Sequence, residues 1–368
     1  MMTKDFRHAS GYSLVELLVS MAITTVVVGT TMAAMNNALR ATETAQMVTS
    51  MNGTLRTSMD LMVRDLLQVA AGLPPGHTVG IPSGTNSAPV LLPGPPIGNG
   101  GVNTAFQTAA GATNISAVIP GPGLGPVVNG VATDIVTVLM ADNTFGDVAI
   151  TAATGTTVDV TAAVNIATGV DRVVPGQLML AEKGSLALLL QVTSVDLPNR
   201  RLTFADTDSL NLNQPTAQFG SLATLNATAP ANTPSAVTLT RVRMIAYYID
   251  TTVPDHPRLV RRVNNGHATT FDNTLGTAVA VDVEHLQVTY DLADANANPS
   301  NVRFVAADFL AGGACGATPC NLNQIRKMNI TLTGRSSRPS TASRQYFRNS
   351  VSTQVSLRGM AFVDEYLQ

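Results

Sequence analysis

Residues 17–39 form a run of 23 positions without a single Asp, Glu, Lys or Arg. As an α-helix this run would extend about 35 Å, enough to cross a bilayer hydrocarbon core of about 30 Å. Thr24, Thr25, Thr30 and Thr31 dilute it, but a threonine hydroxyl can bond to a carbonyl of its own helix. Lys4 and Arg7 precede the run and favour a cytoplasmic N-terminus. Everything after the run is then expected outside the inner membrane. Charged residues make up 12% of the 368, about half the roughly 25% usual for soluble chains. The net charge of -2 argues against a basic nucleic-acid binder that neutralises phosphates. With no Trp and 4% aromatics, stacking platforms for bases or sugars are not expected.

One residue does not fit a plain anchor. A carboxylate costs up to about 2.5–3.5 kcal/mol at the bilayer centre, so Glu16 at the start of the span is a functional candidate. Its surroundings read Gly11-Tyr12-Ser13-Leu14-Val15-Glu16-Leu17. This segment resembles the cleavage and methylation motif of type IV prepilins and type II secretion pseudopilins. The resemblance implies a leader peptide over residues 1–11, cleavage between Gly11 and Tyr12, and N-methylation of Tyr12 as the new first residue. It also implies that Glu16 sets axial register, by pairing with the Tyr12 ammonium of a neighbour inside a filament. A glycine before the scissile bond leaves the backbone unhindered, and a first-turn carboxylate suits the helix dipole. Paired charges are also better tolerated in an apolar medium than single ones. The chain departs from the family in having Tyr12 where Phe is usual, Ser13 where Thr is common, and no helix-bending Pro. A secretory signal peptide and a generic single-pass anchor are the competing readings. Thr31-Met32-Ala33 loosely resembles a signal cleavage site, but Glu16 would interrupt the apolar core.

Beyond the span, Val48, Met51, Leu55, Met59, Met62, Leu66 and Val69 recur at spacings of three and four, which predicts an amphipathic helix with one buried stripe. Gly72-Leu73-Pro74-Pro75 is a stop signal, so one helix is expected over 12–71. Residues 59–72 resemble the helix end of PilW-type minor pilins, with the charges read as helix surface. Residues 73–130 hold 12 Gly and 10 Pro and no charged side chain. They read as irregular chain, either laid over apolar surface or inserted as a flexible segment. Strands are expected over 134–140, 156–164, 177–181, 185–195, 200–204, 238–250, 258–263, 279–292, 325–333 and 350–357. Within this stretch, 247–250, 258–262, 283–290 and 355–360 resemble PilW-type and J-type pilins. The expected fold class is α+β: one long helix packed on antiparallel sheet with loop insertions. Five segments follow: leader 1–11, membrane or filament-core helix 12–39, amphipathic helix 40–72, Gly/Pro-rich loops 73–133 and a β-rich head 134–368.

Local chemistry is sparse. There is no nucleotide-binding glycine loop, no nucleophile elbow and no His-x-x-x-His pair. His8, His77, His256, His267 and His285 are scattered, with His285 read as a surface or packing residue. Asp294, Asn296 and Asn298 alternate like calcium ligands, but Pro299 replaces the glycine and Val305 the final glutamate, so a polar turn is expected. Cys315 and Cys320, the only cysteines, are expected to form a local disulfide outside the inner membrane. Arg335, Arg338, Arg344 and Arg348 are read as a solvated hairpin loop, with a phosphate- or DNA-binding loop as the alternative.

The resemblance implies a non-enzymatic structural subunit without cofactor or metal, a minor pilin built into a pilus tip that primes assembly. Its partners would be minor and major pilins, the inner-membrane assembly platform and the prepilin peptidase that processes it. No nucleic-acid partner is expected. A J-type minor pseudopilin of type II secretion and a membrane-anchored adhesin are the alternatives. The protein would start in the inner membrane, N-terminus cytoplasmic, and end in a periplasm-spanning or extracellular pilus tip.

Overall fold

The computed structural model describes residues 12–74, 78–95, 106–142, 144–169, 171–225, 237–253, 255–264, 276–293, 298–341 and 343–360. Among these residues the architecture is α+β: a long helix over Leu14–Leu66 and 18 strands in sheets of thirteen, three and two. By internal contacts the chain divides into two units. One comprises Met1–Met51 with Ser336–Phe347, the other Asn52–Arg335 with Arg348–Gln368.

In the first unit, the helix is exposed over its apolar N-terminal part, and the first buried side chain is Met47. Val48, expected in the buried stripe, is only half-buried, so the stripe begins one residue earlier. The loop Ser336–Phe347 meets the helix at Glu43. Arg338 Nη2 lies 3.0 Å from one carboxylate oxygen, and the Thr341 hydroxyl donates to the other at 2.8 Å.

In the second unit, Leu55, Met59, Met62 and Leu66 are buried at the expected spacing. The helix ends at Leu66, five residues before the expected position. Ala70 takes a left-handed φ of 63° and its N–H donates to the Leu139 carbonyl at 3.0 Å. Ala141 N–H donates to the Ala71 carbonyl at 2.9 Å, so the chain leaves the helix by bonding to the strand Ile135–Ala141. Sheet hydrogen bonding wins over helical propensity there, and Gly72 (φ 66°) completes the turn.

The strand Thr238–Asp250 organises the large sheet. On one side it pairs first with Leu178–Lys183 and then with Arg258–Val263. On the other it pairs with Val148–Thr154 and then Ile135–Ala141. It is buried at nearly every position, with Arg243 exposed, and its two arginines, Arg241 and Arg243, pair with Asp142. Leu178–Lys183 and Leu186–Gln191 form a hairpin through Gly184-Ser185, with Gly184 at φ 62°, the left-handed conformation a two-residue turn requires. Most pairings are antiparallel; Thr78–Gly80 runs parallel to Leu186–Gln191. The three-stranded sheet is Val283–Leu292, Ile325–Arg335 and Arg348–Ser356.

Several strand expectations change. The single strand over 279–292 is two, Thr277–Val281 and Val283–Leu292, and they belong to different sheets. Asp282 between them has φ 60°, and its carbonyl accepts from Arg335 N–H at 2.9 Å. The strand over 185–195 breaks at Val192 and Thr193, whose N–H groups turn to the Gln177 and Thr203 carbonyls. Val148–Thr154 was not expected; its Ala and Thr content carries little strand signal. Among the described residues of 73–133 there are five short strands, and Val79, Ile81, Val90, Leu92, Phe106 and Ile115 join an apolar core with Leu139, Met244 and Tyr248. Proline is tolerated in Val118–Gly121 because this edge strand pairs on one side alone.

Candidate functional site

The helix start is built by its own side chains. Ser13 Oγ accepts from Val15 N–H at 3.2 Å, and a Glu16 carboxylate oxygen accepts from Ser13 N–H at 2.9 Å. The Glu16 reach back to the Ser13 N–H is the glutamate half of a Ser-x-x-Glu capping box, which satisfies otherwise orphaned donors. Tyr12 stands 90% exposed immediately before it. Gly11, expected before the scissile bond, lies outside the described residues. The structure thus brings Tyr12 and Glu16 together at one helix terminus.

From Leu14 onward the helix is long and apolar enough to cross a membrane, and its most apolar stretch has no buried residue. The polar side chains in that stretch are satisfied internally. Thr24 donates to Ser20 O at 2.7 Å, Thr25 to Met21 O at 2.8 Å, and Thr30 and Thr31 both to Val27 O. Each hydroxyl would therefore enter an apolar medium already bonded, which removes most of the cost of burying it.

At the other end, Asp65 ties the helix to the sheet. Its carboxylate accepts from the Tyr247 hydroxyl and from Arg261 Nε, both at 2.6 Å. Burial pushes the Tyr247 phenol well above its ordinary range, and the adjacent Asp65 charge adds to the shift. Sequence reasoning treated the Asp65 charge as helix surface and missed this contact. The signal was present in the three separate segments that hold Asp65, Tyr247 and Arg261, but nothing local links them.

The remaining candidates are structural in placement. Cys315 and Cys320 are joined by a disulfide with Cα atoms 5.2 Å apart. Arg335 and Arg348 both face the fully buried Glu284, at 3.6 and 2.7 Å. Burial alone would push the Glu284 carboxyl up, but the hydrogen bond from Arg348, joined by the side chain of Asn129 and the arginine charges, holds it below its ordinary value. Arg344 stands at a left-handed φ of 54° in the loop. His285 lies half-buried in Val283–Leu292. His8, His77, His267, Asp294 and Asn296 lie outside the described residues. Among the described residues no group of three or more His, Cys, Asp or Glu side chains converges as metal ligands would.

Residues 6–32 match the prokaryotic N-terminal methylation motif. The match covers the processing segment and the first half of the exposed helix. The motif indicates a prepilin-processed protein of the pilin and pseudopilin kind, and it implies handling by a prepilin peptidase. With the apolar helix it is consistent with anchoring in the inner membrane before assembly. No curated protein and no solved structure matches the chain.

Proposed function

We propose that the chain is a structural minor pilin of the PilW type, cut between Gly11 and Tyr12, N-methylated at Tyr12 and built into a pilus tip that primes assembly. The observation that carries this reading is the joint placement of Tyr12 and Glu16 at the start of an exposed apolar helix. The work is done by transfer: the helix leaves lipid for a bundle of like helices, and Glu16 sets the register. Partners are minor and major pilins and the assembly platform. The buried stripe from Leu55 to Leu66 holds the head on its helix.

Mass spectrometry of the mature N-terminus, from cells with an intact prepilin peptidase, tests the processing step. N-methyl-Tyr12 as the first residue is expected. A start near Ala34, or an uncleaved Met1, would remove the pilin reading. Glu16→Gln tests the register role. The amide oxygen can still accept from Ser13 N–H and keep the cap, while the charge is lost. Processed E16Q subunits are expected to remain in the membrane; normal incorporation into pili would refute the charge-pairing role.

A further inference from the structure

We infer that the loop Ser336–Phe347 and the helix surface beside it form a docking surface for anionic phospholipid headgroups, in the leaflet where the helix leaves the membrane. The inference rests on the membrane-anchored state in the proposed function, and every residue it uses belongs to the first unit. The uncharged run ends at Leu39, Arg40 is the first charged side chain beyond it, and the loop meets the helix at Glu43. Four residues of α-helix, from Leu39 to Glu43, rise about 6 Å. The headgroup layer is about 5–7 Å thick on each side of a hydrocarbon core of about 30 Å. A helix along the bilayer normal, with its uncharged run in the core, thus carries the loop at headgroup level.

The loop is held in shape by its own backbone. Ser336 N–H donates to the Phe347 carbonyl at 2.8 Å, and Phe347 N–H returns to Ser336 Oγ at 3.1 Å. Ser340 N–H donates to the Gln345 carbonyl and Arg344 N–H to the Ser340 carbonyl, both at 2.9 Å. Beyond Leu39 the charged side chains of the first unit are Arg40, Glu43, Arg338 and Arg344. Arg338 is spent on Glu43, 3.0 Å away. Arg40 and Arg344 are exposed, and neither side chain has a hydrogen bond or ion pair among the described residues. Two positive charges are therefore left over at this level.

Arg40 stands three residues before Glu43, on the same face of the helix and one turn nearer the uncharged run. Its stem can lie along apolar surface while the guanidinium reaches the phosphate level. A guanidinium fork matches a phosphate with two parallel bonds. The other exposed side chains of the loop, Ser337, Ser343 and Gln345 among them, are uncharged and repel no anion. Depth selects the occupant: lipid phosphates are already concentrated at this level, whereas an acidic protein segment would have to enter the headgroup layer to reach it. The contact fixes how deep the helix sits, and withdrawing the helix from the bilayer breaks it.

The chain has no Trp, so Gln345→Trp, at an exposed position, reports on the loop alone. Detergent-solubilised full-length Q345W is titrated with dioctanoyl phosphatidylglycerol while its emission is followed. Phosphatidylcholine of the same chain length, inorganic phosphate and polyglutamate are titrated in parallel. A saturable response to phosphatidylglycerol is expected, with none to phosphatidylcholine. Arg344→Gln should raise the half-saturating concentration about fivefold, the factor one arginine contributes near a charged surface. Arg344→Lys should restore most of it. Arg40→Gln should act like R344Q, and it stands on the helix, so a loop disturbed in R344Q leaves the test intact. Equal responses to the two lipids, or unchanged half-saturation in both R344Q and R40Q, would overturn the inference. Tighter binding of polyglutamate would overturn it in favour of an acidic protein partner, and saturation by phosphate at equal concentration would reduce the patch to an unselective anion site. Val27→Trp in vesicles with brominated acyl chains tests the membrane placement separately. An unquenched V27W would refute that placement, whereas a quenched V27W with no lipid selectivity at Q345W would refute the docking surface alone.

Discussion

Asp65→Ala is the most informative perturbation of the head, because one carboxylate holds two donors from the sheet. The substitution strands the hydroxyl of Tyr247, whose side chain is fully buried, and the Arg261 guanidinium, a quarter exposed. Breaking a buried pair by removing one partner costs about 3–5 kcal/mol. The partial exposure of Arg261 lets water recover some of that, so about 3 kcal/mol is expected for D65A. For a head of this size that corresponds to a fall in melting temperature of roughly 6–12 °C. Asp65→Asn keeps an acceptor for one donor and should cost about half as much. The assay is thermal melting of the full chain by circular dichroism, together with a D65A/R261M double-mutant cycle. The cycle should return a coupling of roughly 1–2 kcal/mol, above the 0.5 kcal/mol scatter of independent sites. A loss below about 1 kcal/mol for D65A, or additivity within that scatter, would refute the claim that this contact stabilises the helix on the sheet.

Gly220→Ala should be among the most damaging small substitutions. Gly220 has φ 74°, and a Cβ there would sit 2.1 Å from the Ile81 carbonyl oxygen, whereas Gly155→Ala at φ 57° meets open space and should cost only about 1 kcal/mol. Soluble expression and melting of the two variants compare them. Replacing Cys315 and Cys320 together with Ser should lower denaturant stability by about 2 kcal/mol at most, because the ring they close is short. Stability should fall at both ends of the pH range. Glu284 and Asp142 are held below their ordinary values of 4.5 and 3.8, so their contribution is present above those values and is lost as pH falls through the lower folded ones. Burial raises Tyr247, Tyr248 and Tyr290, with Tyr248 at about 12, so their contribution is present below pH 10 and is lost above it as the unfolded chain ionises. Melting temperature measured from pH 2 to 12 checks both limbs, and a flat profile below pH 4 would count against the Glu284 and Asp142 networks.

What could be seen in the sequence was what repeats locally. The buried helix stripe from Leu55 to Leu66 follows a period that needs no tertiary knowledge. The strands Thr238–Asp250 and Arg258–Val263 have the bounds expected from the sequence. What stayed hidden depends on distant partners. The helix stops at Leu66 because Ala70 and Ala71 bond to Leu139 and Ala141, some seventy residues away. Thr277–Val281 and Val283–Leu292 separate at Asp282, whose conformation is fixed by Arg335 and by His256 Nδ1 at 2.8 Å from its carboxylate. The Gly/Pro-rich region looked irregular because glycines and prolines break its apolar residues into short pieces; Val79 with Ile81 and Val90 with Leu92 reach the core as pairs too short to set a period.

On the proposed function, Glu16 would serve two states. In the isolated chain one of its carboxylate oxygens accepts from Ser13 N–H, which anchors the side chain over the helix terminus beside Tyr12. That bond explains why the glutamate is compatible with a helix start before any filament exists: it replaces solvent for a donor that would otherwise be orphaned. It also leaves the second oxygen free of partners among the described residues, directed from a fixed origin instead of a mobile side chain. In the proposed filament, a neighbour's Tyr12 ammonium could take that oxygen without breaking the cap. The charge would then be neutralised with little loss of side-chain entropy, since the rotamer is already set. On this argument capping and register are additive uses of the two oxygens. Glu16→Gln then separates them, keeping helicity at residues 13–20 while removing the charge that the neighbour must find. Glu16→Ala removes both, and should fray the first turn by an amount near the 0.5–2 kcal/mol of a lost cap in addition to failing in assembly. If E16A and E16Q both assembled as well as the unaltered chain, neither use of the carboxylate would matter to the filament.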